Sequence, residues 1–100
     1  YEAAARVAER ALKARKRLLA AGDWPIWSTQ SVLSAALAGA GETSRAEALM
    51  TEALEYLRSD PATTPARLRR VLERAAEVYD GAGKADLAEA CRAEMRKSAR

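Results

Sequence analysis

Apolar residues recur at intervals of three and four along almost the whole chain, and four clusters of turn-forming residues cut that pattern into five segments. The breaks are Gly22-Asp23, Gly39-Ala40-Gly41, Ser59-Asp60-Pro61 and Gly81-Ala82-Gly83. No stretch alternates with the period of two that a half-buried strand requires, so the pattern predicts an all-α protein, a single-domain five-helix bundle of antiparallel helical hairpins. The segment 2–21 places Val7, Ala8, Ala11, Leu12, Leu18 and Leu19 on one face, with alanines that let a neighbouring helix approach closely. A second helix begins near Pro25, whose missing N–H suits a first turn, and runs to Gly39. The third starts with Thr43 or Ser44 as its cap, has Glu47 three positions after Ser44 as in a capping box, and turns Ala46, Leu49, Met50, Ala53, Leu54 and Leu57 inward. The fourth opens on Thr64-Pro65, a cap followed by proline, and faces inward with Leu68, Val71, Leu72, Ala75, Val78 and Tyr79. The fifth, 84–99, has the thinnest apolar stripe, Leu87, Ala88, Cys91 and Met95, and an end expected to fray.

The second helix breaks the pattern of the others. From Trp24 to Gly41 the chain reads WPIWSTQSVLSAALAGAG, without one charge, although 31% of all residues are charged. A bundle helix normally turns charge toward solvent, so this one is expected to be covered on most sides. It does not suit a membrane: residues 25–39 make a helix of about 22 Å, against roughly 30 Å of hydrocarbon. Around its axis, Ile26, Gln30, Leu33 and Leu37 form one row, Trp27, Ser31, Ser34 and Ala38 a second, and Ser28, Val32, Ala35 and Gly39 complete the circumference. A buried polar group without a partner costs about 1–3 kcal/mol, so Ser28, Gln30, Ser31 and Ser34 call for donors and acceptors. The first expectation is a small-molecule pocket lined by these four, with Trp24 and Trp27 at its mouth and Met50 and Tyr79 on the facing helices. The second is a protein-binding face built on Trp24 and Trp27, since tryptophan is enriched and charge depleted at interface centres. The third is an inert scaffold whose serines bond back to carbonyls one turn earlier.

Composition narrows the chemistry. One hundred residues suffice for one domain, 1–100, with a core covering roughly 60–70% of the unfolded surface. There is no histidine and one cysteine, Cys91, so neither a disulfide, a catalytic triad nor a usual zinc site can be assembled, and no metal or cofactor is expected. Cys91 falls on an inward stripe and reads as a packing residue, while Lys13, Lys16, Lys84 and Lys97 lie on polar faces or helix ends. Tyr56 and Tyr79 can bury their rings and leave hydroxyls at a rim. These residues predict a non-enzymatic protein. Arg15 and Glu94 interrupt apolar stripes and are expected to snorkel to the surface, the alternatives being a half-buried pair or an anion contact by Arg15.

Net charge is +3, and the first helix supplies it: Arg6, Arg10, Lys13, Arg15, Lys16 and Arg17 stand against Glu2 and Glu9. Cations in the last turns complement the helix dipole, and without interleaved aromatics they do not make a nucleic-acid site. No basic segment leads into a continuous apolar run, so a soluble, cytoplasmic protein is expected, a monomer or a homodimer through the uncharged helix.

Two stretches resemble each other, AGAGETSRAEALMTEALEYL and DGAGKADLAEACRAEMRKSA, with Gly41 and Gly83 at matching turns 42 residues apart. Ala46, Ala53, Tyr79 and Ala88 fall near places where tetratricopeptide hairpins carry Ala or Tyr, so the region 31–95 resembles that family and implies an adaptor. The spacing exceeds the family's 34-residue period, and Arg92 stands where its motif wants an aromatic. The chain is also similar to computationally designed helical bundles: no His or Phe, abundant alanine, i to i+4 pairs such as Arg69 with Glu73, and caps and connectors that agree with one another.

Overall fold

A computed structural model describes residues 1–19 and 22–98, the Ser98 side chain excepted. Five helices follow one another: α1 (Glu2–Leu18), α2 (Trp24–Gly39), α3 (Thr43–Ser59), α4 (Pro65–Gly81) and α5 (Ala85–Ser98), and no strand occurs among the described residues. The two glycine turns close in the same way. Gly41, at φ 87°, donates to the Ala38 carbonyl while Glu42 N–H reaches back to Leu37; Gly83, at φ 75°, donates to Asp80 while Lys84 N–H reaches Tyr79. Both are Schellman closures, in which a residue of positive φ lets the chain turn over and satisfy the last helical carbonyls. At the start of α4 the Thr64 hydroxyl accepts from Arg67 N–H at 3.2 Å, with Pro65 in the first turn as expected.

The start of α3 departs from expectation. Its cap is Glu42, with no side-chain capping bond, so the Ser44–Glu47 capping box does not form. Gly41 delivers the chain to the helix early, the Glu42 carbonyl accepts from Ala46 N–H, and Ser44 is already inside the first turn. Glu47 pairs instead with Lys84 at 3.7 Å.

Among the described residues α2 packs against α1, α3 and α4, and α4 against α2, α3 and α5, whereas the backbone of α1 approaches that of α2 alone and the backbone of α5 that of α4 alone. The protein is therefore a two-layer stack, α2 and α4 in one layer and α1, α3 and α5 in the other, 36 × 31 × 16 Å in extent. Long charged side chains bridge the outer layer: Arg45 reaches Glu9 from α3 to α1, and Arg58 reaches Glu94 from α3 to α5 at 2.7 Å. The core sits between α2, α3 and α4, where Ile26, Leu33, Leu37, Met50, Leu54, Leu57, Val71 and Leu72 are buried.

Terminal helices with one neighbour bury less than their stripes predict. On α1, Ala5, Ala8 and Leu12 are buried, but Val7 is 63% exposed and Leu18 82% exposed. The helix ends at Leu18 rather than 21, Leu19 turning extended but still packing on the core; residues 20 and 21 lie outside the described residues. On α5, Ala88 and Cys91 are buried while Leu87 is 45% exposed, and the frayed end expected at 99 lies outside the described residues. The Arg69–Glu73 pair forms, 3.8 Å apart on an exposed face. No helix among the described residues is long and apolar enough to cross a membrane.

Candidate functional site

Helix α2 needs no charge because three helices enclose it, and its polar residues serve that enclosure. Ser34 donates to the Ala46 carbonyl of α3 at 2.6 Å, a contact made possible by the small side chains on both helices. Ser31 bonds back to the Ser28 carbonyl at 2.7 Å and accepts from Arg74 Nη1 of α4 at 2.9 Å. Gln30 donates through Nε2 to the Leu49 carbonyl at 3.0 Å and to Glu52 Oε1 at 2.9 Å. Those two acceptors set the orientation of the amide, because the flipped form would point oxygen at oxygen. Gln30 Oε1 is buried without a partner among the described residues.

These bonds account for Gln30, Ser31 and Ser34 without a guest. Gln30, Ser31, Ser34 and Met50 are 0% accessible, so no sphere the size of water touches them and no cavity that could admit a ligand adjoins them. The hydroxyls and the amide pin α2 to its neighbours instead of converging on a guest. Tyr79 is buried too, its hydroxyl 2.8 Å from Thr51 Oγ1, and burial pushes its phenol up from the ordinary range while the Thr51 bond opposes.

The tryptophans are half-buried and engaged within the chain. Trp27 stacks on Tyr56 with ring centroids 4.4 Å apart and planes 14° from parallel. The Tyr56 hydroxyl lies against Gly22, where a Cβ would come within 2.2 Å of it. Arg67 holds its guanidinium 5.3 Å from the Trp24 ring centroid. The predicted Trp24/Trp27 face is thus partly covered by Tyr56 and Arg67. Glu94, expected at the surface, pairs with Arg58 there. Cys91 beside it is buried, and burial pushes its thiol up, Arg58 opposing, so the group stays protonated at neutral pH and gains no nucleophilic activation.

The bare apolar surface lies on the other side of α2. Between α1 and α2 runs an open hollow of about 550 Å³ lined by Ala3, Ala4, Val7, Ala8 and Ala11 from α1 and by Ser28, Thr29 and Val32 from α2. A second hollow of about 480 Å³ continues it past Ala4 and Val32 toward Ala35, Gly39 and Tyr1, with Val78 and Glu77 of α4 on its far wall. Tyr1 lays its ring on Gly39, where any Cβ would collide with it. Together the hollows form one trough. From Ala4 to Arg15 along α1 it spans about 17 Å at 1.5 Å per residue. Val32 is 42% exposed and Val7 63%, so a β-branched side chain from each helix faces solvent there.

Of the expected site residues only Ser28 lines this trough, and Arg15 closes one end of it. Val7 and Val32 were not expected there: Val7 read as core, and Val32 as one position among many on an enclosed helix. The legible signal was the width of the apolar arc on α1, where Ala4, Val7, Ala8 and Ala11 make a second stripe beside the one that Ala5, Ala8 and Leu12 bury. Compared with protein families, curated proteins and solved structures, the chain matches none.

Proposed function

We propose that this protein is a non-enzymatic binding module, that its binding element is the α1/α2 trough, and that the trough takes a helical segment of a protein partner. The observation that carries this is the exposed pair Val7 and Val32 above a floor of alanines, an apolar strip about three helical turns long that none of the described helices covers. The stack contains its own precedent. Helix α2 lies against both α3 and α4, and the α1/α2 trough stands to a further helix as the α3/α4 trough stands to α2. Alanine floors let a helix axis approach to about 8–10 Å, where large apolar side chains of the incomer fill the groove. A small molecule is less well supported, because such sites bury about 70–90% of their ligand and this trough is open along its length.

Chemistry argues in the same direction: Cys91 stays protonated, and Lys13, Lys16, Lys84 and Lys97 are exposed rather than desolvated. The matched closures at Gly41 and Gly83 also support reading the chain as a designed helical stack, for which an inert scaffold is the competing outcome. Nuclear magnetic resonance with a panel of amphipathic helical peptides tests the proposal. Amide shifts confined to Ala4, Val7, Ala11 and Val32, abolished by Val32→Glu, are expected. Shifts centred on Trp24 and Trp27 would move the binding face, and no shift with any peptide would leave the scaffold.

A further inference from the structure

Resting on that reading, we infer that the helix received by the trough is acidic in its first turn, and that Arg15 is the residue that selects it. Six cations stand on α1, Arg6, Arg10, Lys13, Arg15, Lys16 and Arg17, against Glu2 and Glu9, and none of the six makes an ion pair among the described residues. Glu9 is already taken by Arg45. Of these cations only Arg15 lines the hollow, at the end that Ser28 and Thr29 also line, while the opposite end carries Glu77. The trough is therefore polarised along its axis, positive at the Arg15 end.

Direction follows from the internal precedent. Helix α2 occupies the α3/α4 trough antiparallel to α3, so a helix in the α1/α2 trough on the same geometry runs antiparallel to α1 and begins beside Arg15. A helix N-terminus is itself positive, and set bare against a guanidinium it is repelled. Carboxylates in the first turn remove that conflict: they complement the dipole of their own helix, accept from Arg15, and find the two hydroxyls as further donors. A second copy of this chain is a poor occupant, because docking trough on trough would bring two helices together that each carry six cations and two carboxylates.

The test uses the full chain and three fluorescein-labelled stapled helices of about four turns sharing one leucine stripe, with Glu, Gln or Lys in the first turn, read by anisotropy. The Glu peptide is expected to bind about tenfold more tightly than the Gln peptide at low salt, with the margin shrinking as ionic strength rises. Arg15→Glu should reverse the order so that the Lys peptide binds best, while Arg17→Glu, which alters α1 by the same charge away from the trough, should keep it. If all three peptides bind alike and Val32→Glu abolishes them, the trough reading stands and the acidic preference is overturned. If Arg17→Glu reverses the order as well as Arg15→Glu does, selection by Arg15 is overturned. Should none bind, both readings fall. Self-association in sedimentation that Val32→Glu dissolves would make a second copy the occupant, and displacement of the Glu peptide by a duplex oligonucleotide would assign the cations to nucleic acid; either result overturns the inference.

Discussion

The two sides of α2 differ more than their sequence suggests. On the inner side Gln30, Ser31 and Ser34 are wholly buried, yet each makes hydrogen bonds, and they link α2 to α3 and α4. On the outer side Val32 stands half in solvent over a floor of alanines, with Val7 opposite and none of the described residues above them. Three polar groups lie inside among Ile26, Leu33 and Leu37, and an apolar side chain stands outside, two departures from the simple rule. The informative departures from that rule are a buried polar group and an exposed apolar patch, and here they belong to opposite faces of one helix. The first is bonded to its neighbours at every group but Gln30 Oε1, so it reports packing. The second is covered by no described residue, and the proposed helical partner would cover it.

Mutations that sharpen this contrast fall in a clear order. Leu33→Ala, one residue from Val32 but facing the core, is expected to lower unfolding free energy by about 2–5 kcal/mol in urea titration, through lost transfer energy and the cavity left behind. Gly22→Ala drives a methyl into the Tyr56 hydroxyl and disturbs its stack on Trp27; a loss of about 1–3 kcal/mol is expected, with a change in tryptophan emission. Ser34→Ala removes the α2–α3 bond to the Ala46 carbonyl and should cost about 1 kcal/mol. A rise in stability instead would mean the serine is a burden on the core and not a pin. Val32→Ala and Val7→Ala should change stability by no more than about 0.5 kcal/mol while weakening any helical peptide that uses the trough. A loss as large as that of Leu33→Ala would show that the trough is closed in solution.

The smallest effect concerns pH. The Cys91 thiol titrates above its ordinary value in the folded chain because it is buried. A group whose folded pKa is raised contributes its full stability below the unfolded pKa and loses it as pH climbs through the folded one. Stability should therefore decline once pH passes about 8.5, the ordinary value for a thiol, and Cys91→Ala should flatten that part of the profile. A Cys91→Ala profile with the same slope would assign the decline to other groups.

Much of the fold could be read locally. All four breaks lie between helices, although α1 stops at Leu18 ahead of the first; Thr64 caps α4 as its sequence implies, and Gly41 and Gly83 take the positive φ that a helix-ending turn requires. Ser44 misled because a cap is defined by where the preceding turn delivers the chain, and Gly41 delivers it two residues before Ser44, at Glu42. The site was less legible. Gln30, Ser31 and Ser34 were identifiable as unusual, and the lack of charge correctly implied enclosure. Whether their partners were a ligand or carbonyls of α3 could not be read from α2, since Ala46 and Leu49 offer backbone oxygens that no side-chain pattern announces.

What the sequence by itself determined was the set of helices, their punctuation and the face of each that is rich in apolar groups, because these depend on backbone conformation and on a period of 3.6 residues within one segment. What only the tertiary structure decided was how many neighbours each helix has. Val7 and Leu87 carry the periodicity of core residues and stay exposed, because among the described residues α1 and α5 each pack their backbone on a single helix. Burial belongs to a pair of surfaces, and one strand of text describes only one of them.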